Sequence, residues 1–192
     1  MAMAAAGWAT TVVAPEFPEL VNQSDCIVRA VVKSVHSEIV QPGNRKIITL
    51  VELDVKEVIA GKPAQPLVLR MLGGKVGGDE MIVEGAPQFQ VGDEDILFVQ
   101  GNGRQVSPLV AMMHGRYRVM KDTATGKEII GRSNRQPLRS TAEVARAMSE
   151  GGTAQAGTPK AAAPAGPALT PDQFTQQIRA AVKPTNRRLL ER

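Results

Sequence analysis

From Lys46 to Val58 the chain reads KIITLVELDVKEV. Ile47, Thr49, Val51, Leu53 and Val55 fall on one face and Glu52, Asp54 and Lys56 on the other, and alternation of this length predicts a half-buried antiparallel strand. The stretch before it, CIVRAVVKSVHSEIV (26–40), is rich in branched side chains that suit a pleated surface. Between the two, QPGNRK (41–46) gathers the proline, glycine and asparagine that a chain reversal needs. AGKPAQP (60–66) predicts the next turn, and LVLRML (67–72) a short strand with Leu67, Leu69 and Met71 inward. MIV (81–83) continues the β pattern, EGAPQFQVGDED (84–95) reads as a turn-rich crossing, and ILFVQ (96–100) as a buried strand. Asn-Gly in GNGR (101–104) is a hairpin signal, because both residues tolerate positive φ. QVSPLVAM (105–112) and GRYRVMKD (115–122) then predict a strand pair, with Tyr117 and Val119 facing away from Arg116 and Arg118. DTATGKEII (122–130) predicts one more hairpin with Gly126 at its tip. About seven or eight short strands at this spacing suit an antiparallel barrel or sandwich.

Helical signals flank this β region. PEFPELVNQSD (15–25) carries two prolines and is expected to manage one helical turn at most. Ser140-Thr141-Ala142-Glu143 is a capping box that predicts a short helix to about Ser149, stopped by Gly151-Gly152. GGTAQAGTPKAAAPAGPA (151–168) has too few large apolar side chains for a core and reads as a linker. Thr170-Pro171-Asp172-Gln173 opens a second helix with proline at its first position, and Phe174, Ile178 and Val182 form one narrow stripe before Pro184. So short a helix is not stable alone in water. It either docks on the β domain or recruits a partner.

The chain has 192 residues, room for one well-buried domain and an appendage. Aromatic residues make up only 3%, so the core must be aliphatic. The single cysteine, Cys26, excludes an intrachain disulfide and a multi-cysteine metal site. The net charge of +4 is unevenly spread: residues 1–131 hold 13 Lys/Arg against 15 Asp/Glu, and residues 132–192 hold 10 against 4. The basic character therefore belongs to the carboxy-terminal part. Residues 1–16 begin MAMAAAGWATTVVA, apolar and rich in small residues with Ala-x-Ala spacings, but without a basic first region. They read as a leader or the remnant of an export signal. No run approaches the ~20 apolar residues of a membrane-spanning helix.

LGGKVGGD (72–79) is the stretch that most resembles a phosphate cradle. A P-loop places Ser or Thr after its lysine, to ligate magnesium, and then opens a helix. Here Val76 follows Lys75 and GGDEMIVEGAP shows no helical period. The glycines are expected to serve tight reversals between strands, with exposed backbone free for a peptide contact. His36 and His114 are the only histidines, and a zinc site would need both together with a carboxylate such as Glu38. Cys26 lies among strand residues and reads as a small buried side chain. VGDED (91–95) lacks the alternating ligands of a calcium loop. Asn22-Gln23-Ser24 matches a glycosylation sequon, which matters only in a eukaryotic secretory route. A single-strand-binding barrel would need a basic groove with Phe89 and Tyr117 outward, whereas this β region is net acidic.

The run FPELVNQSDCIVRAVVKSVHSE, with IITLVELDVKEVIAGKPAQPLVLRMLGGKVGG and APQFQVGDEDILFVQGNG, resembles a group of exported bacterial proteins of uncharacterised role over about residues 17–131. Their general form is an Asp-Ile-Val strand, a long Val-Glu-x-Val-Lys-Gly strand, a Gly-Gly-x-x-Gly-Gly loop and a Val-Gly-Glu-x-x-Leu-Phe turn and strand. The chain is also similar to the netrin-like domain of tissue inhibitors of metalloproteinases, a five-stranded OB-type barrel. That family ligates zinc through an amino-terminal cysteine and is disulfide-bonded. With Cys26 alone and inside a strand, no inhibitory residue carries over.

The expected fold is an all-β antiparallel barrel of OB-like, Greek-key type over 17–131. A short helix and connection (132–150), a linker (151–168) and a carboxy-terminal amphipathic helix (169–192) follow. The expected role is a non-catalytic, exported module, periplasmic or secreted, that binds a protein or peptide; a cytoplasmic location is the alternative. The contact residues would be Gly73, Gly74, Lys75, Val76, Gly77, Gly78 and Phe89, on loops displayed at a barrel end. No cofactor, metal, nucleic acid or transmembrane segment is expected, and the oligomeric state stays open. Two other classes remain: a small hydrolase with a dispersed site, and a single-stranded nucleic-acid-binding OB domain.

Overall fold

The computed structural model describes residues 13–41, 43, 46–146, 148 and 166–182. Most of the expected leader, residues 151–165 of the expected linker and the end of the carboxy-terminal segment lie outside the described residues. The chain is mostly β. Among the described residues eight strands run in order as β1 (Cys26–Gln41), β2 (Lys46–Gly61), β3 (Leu67–Leu72), β4 (Gly74–Val76), β5 (Asp79–Met81), β6 (Glu94–Val99), β7 (Arg116–Lys121) and β8 (Glu128–Arg132). Six form one antiparallel sheet in the order β3-β2-β1-β6-β7-β8, and β4 with β5 makes a separate hairpin. Helices α1 (Phe17–Gln23) and α2 (Pro171–Ala181) complete the fold.

β1 and β2 pair along 16 residues each, and their register shifts at four places. Each bulge adds twist and moves the following side chains to the other face. Cys26, Ile27 and Val28 are buried in succession because both faces of the sheet are covered at this point. Ile27 and, on β2, Ile59 and Ala60 join the cluster on one face of the sheet; Cys26, Val28, Val51 and Leu53 join the cluster on the other. The alternation of β2 holds for Val51 and Leu53, while Ile47 and its neighbour Ile48 are both buried.

Both helices cover the first face. α1 is two turns long rather than the single turn expected, because Pro18 sits in the first turn, where its missing N–H has no intrahelical role. Phe17, Leu20 and Val21 face the sheet. α2 starts as expected, with Thr170 and Gln173 closing a capping box and Pro171 in the first turn. Its Phe174 and Ile178 are fully buried. The Phe174 ring lies 4.9 Å from Tyr117, 5.9 Å from Phe17 and 6.2 Å from Phe98, and Arg179 pairs with Glu57 of β2 at 2.6 Å. The helix is docked. Its approach is also pinned: Leu169 donates to the Leu138 carbonyl and accepts from the Ile130 amide of β8, both at 2.8 Å.

Two expectations fail locally. Ser140 and Glu143 form their capping box, but only a 3-10 turn follows (Thr141–Glu143), and residues 144–146 leave the helix; 147 and 149–150 lie outside the described residues. Val144 and Leu138 are drawn into the core instead. The pair of strands expected around GNGR also does not form. Residues 100–110 are a looped segment that touches β6 through the Val99–Leu109 bridge and then enters a 3-10 turn at Met112–Gly115. Asn102 serves another purpose than positive φ: its side chain accepts from the Arg70 amide (2.9 Å) and donates to the Val68 carbonyl (2.7 Å). Val106 accepts from the Leu72 amide at 2.8 Å, so this segment bonds to both β3 and β6.

Candidate functional site

Arg116 organises the region above the second face. It is expected on the solvent side of β7 from its alternation with Tyr117, yet it is only 1% exposed. Its Nε and Nη2 bond the two oxygens of Asp95 at 3.0 and 2.9 Å, and Nη2 also reaches Asp93 at 2.7 Å. Nη1 donates to the Gln88 carbonyl, and the guanidinium lies 4.2 Å above the Phe89 ring. Arg118 pairs with the other oxygen of Asp93 at 2.6 Å. One cationic fork thus ties β6, β7 and the crossing together, since a bidentate guanidinium fixes geometry as well as charge. Burial pushes the Asp95 carboxyl up despite the opposing Arg116. Burial acts the same way on Asp93, but the bonds from Arg116 and the Gln90 amide, with the charge of Arg118, outweigh it and hold its pKa down.

The crossing has open space on both sides. A cavity of about 280 Å³ lies between it and the β4–β5 hairpin, lined by Val51, Met71, Gly73, Gly74, Lys75 and Phe89 among others. A recess of about 650 Å³ lies on its other side, against Arg116, Arg118 and the turn Ser133–Arg135. Ile82, Val83, Ala86, Pro87 and Gln88 line both. Ile82 is 81% exposed, a large apolar side chain at the junction of the two.

Of the residues singled out from sequence, Gly73, Gly74, Lys75 and Phe89 meet at the smaller cavity. Val76, Gly77 and Gly78 form the turn end of the hairpin, outside the lining of either space. The glycines do reverse the chain: Gly77 has φ +58° and joins β4 to β5. Gly74 has a second reason. A Cβ there would stand 2.3 Å from the Thr49 hydroxyl and 2.6 Å from that of Ser37. Those hydroxyls bond each other at 2.9 Å, and Thr49 donates to the Gly73 carbonyl at 2.7 Å, which roots the hairpin on β1 and β2.

Cys26, His36 and His114 occupy three separate environments. Burial pushes the Cys26 thiol up to about 11, with Asp25 adding to it, so little thiolate forms at neutral pH. His36 is exposed on β1. His114 is buried in the 3-10 turn before β7, its pKa lowered to about 4 by burial and by Arg132, and its Nδ1 has no hydrogen-bond partner. Among the described residues, no cluster of His, Cys, Asp and Glu could hold a metal ion, and no helix is long and apolar enough to cross a membrane. Every described aromatic ring, Phe89 and Tyr117 included, is buried. Among the described residues, no outward ring offers a stacking platform for bases.

The Arg116 cluster and the larger recess were missed from sequence. A signal existed: Asp93 and Asp95 are spaced i, i+2, as are Arg116 and Arg118, so each pair shares a face once both segments are extended. Comparison with protein-family models, curated proteins and solved structures finds no match to this chain.

Proposed function

We propose that this chain is a non-catalytic, exported binding module that takes a protein or peptide segment at the crossing between β5 and β6. The observation that supports it best is the empty volume on both faces of residues 82–88, with Ile82 exposed between the two spaces. A segment tied to the sheet through the Gln88 carbonyl and flanked by voids can shift and clamp a ligand without disturbing the sheet. The Arg116 fork keeps its root fixed, so part of the ordering needed for binding is already in place. The bonds from residues 102 and 106 to β3, with the Leu109 bridge to β6, favour an OB-like closure of the sheet. Loops on such a frame are natural contact sites.

The test is selection of a displayed random-peptide library on the full chain, followed by amide exchange of the complex. Enriched peptides should protect residues 73–90, and Ile82→Asp should abolish the enrichment. Protection confined to another surface, or equal enrichment by the variant, rejects the reading.

A further inference from the structure

The larger recess has two chemically different walls. One comes from β7 and the turn after β8, with Arg118, Ser133, Asn134 and Arg135; the other is the crossing, with Ile82, Val83 and Pro87. Asp93 and Asp95 are consumed by Arg116 and by one nitrogen of Arg118. Arg135 is exposed and has no acidic partner among the described residues. Burial depresses the pKa of the Arg118 guanidinium, with Arg116 and, least of all, Arg135 adding to it against the opposing Asp95 and Asp93; Arg118 and Arg135 line the same recess. The Arg135 backbone holds φ +66°, with its amide on the Arg132 carbonyl at 2.8 Å and Asn134 accepting from the Gln136 amide at 3.2 Å. Arg116, Arg118 and Arg135 thus set three cations beside only Asp93 and Asp95 on this side of the recess, a net positive charge that an anion relieves. The one carboxylate of the lining, Glu84, sits on the crossing wall. It repels a ligand that is acidic throughout, leaving room for an apolar body with one anionic end.

We propose that this recess captures the free carboxy terminus of an apolar peptide. Arg118 and Arg135 clamp the terminal carboxylate, and Ile82, Val83, Pro87 and Met113 cover the preceding side chains. The inference rests on the peptide-binding reading above and names its ligand. Guanidinium forks match carboxylates through paired N–H bonds, and about 650 Å³ is within the range of pockets that enclose a small ligand.

The experiment uses the full chain and two pools of N-acetylated tetrapeptides randomised over apolar residues, one with free carboxylates and one with terminal amides. Binding is followed by NMR shifts of the 82–90 amides and of the arginine Nε–H groups. The acid pool should bind about tenfold more tightly than the amide pool. Arg135→Gln should remove that preference; the variant keeps the same backbone conformation, so the fold is not at issue. Equal binding of both pools at 82–90 overturns the carboxylate clamp and leaves the peptide reading standing. Shifts from neither pool overturn both, and a preference that survives Arg135→Gln overturns the role of Arg135.

Discussion

Replacing Phe174 with alanine tests whether α2 is part of the folded core. The ring is fully buried and touches Phe17, Phe98 and Tyr117. Truncating a buried phenylalanine typically costs about 3–5 kcal/mol, from lost transfer energy and from the cavity left behind. α2 has 11 residues, below the ~12–15 at which isolated helices become marginal, so it has no stability of its own to fall back on. A helix that can detach also sets a ceiling, since the cost cannot exceed the free energy by which the whole segment docks. For a chain of this size the melting temperature should fall by roughly 6–20 °C. Circular dichroism during heating measures the shift, and Gln176→Ala on the exposed side of the same helix should stay within about 0.5 kcal/mol of the native chain. A Phe174→Ala variant that melts within about 2 °C of the native protein refutes the docked helix and, with it, the aromatic cluster as a stabilising unit.

Three further outcomes follow from buried charge and close contact. His114 is neutral when folded, with its pKa lowered from 6.5 to about 4, so the unfolded chain takes up the extra proton as pH falls through that interval. Stability is full above pH 6.5 and drops by about 2 kcal/mol at pH 5, measurable by urea unfolding, and His114→Gln should flatten that slope. Arg116→Leu leaves Asp95 buried without its counter-charge and should cost about 3–5 kcal/mol by chemical denaturation, whereas combining it with Asp95→Leu should recover most of the loss. Gly74→Ala forces a Cβ against Thr49 and Ser37 at φ +135° and should loosen residues 79–83 in amide exchange; Gly78→Ala, with nothing within 4 Å, should be silent.

Local chemistry was legible wherever one signal decided the outcome. Thr170 to Gln173 closed its capping box, Leu67, Leu69 and Met71 turned inward, and Gly126 sits between β7 and β8 with φ +69°. Errors came where a distant segment competed. Pro18 looked like a breaker but found the one turn that tolerates it. The Ser140 capping box was genuine, but the burial of Leu138 and Val144 ended the helix after three residues. Asn102 carried a hairpin signal and was taken instead by the edge of β3, which lies more than thirty positions back in the chain.

The sequence by itself determined the β character, the two long paired strands, the glycine reversal and the start of α2, because period, turn chemistry and capping act over a few neighbouring residues. The tertiary structure alone decided which cations lie inside. Arg116 and Arg118 differ little by pattern, yet Arg116 is 1% exposed because Asp93 and Asp95, some twenty residues away, supply both its charge balance and its bonds. Burial of a charge depends on partners that only folding brings within 3 Å, and so the recess they frame has no signature along the chain.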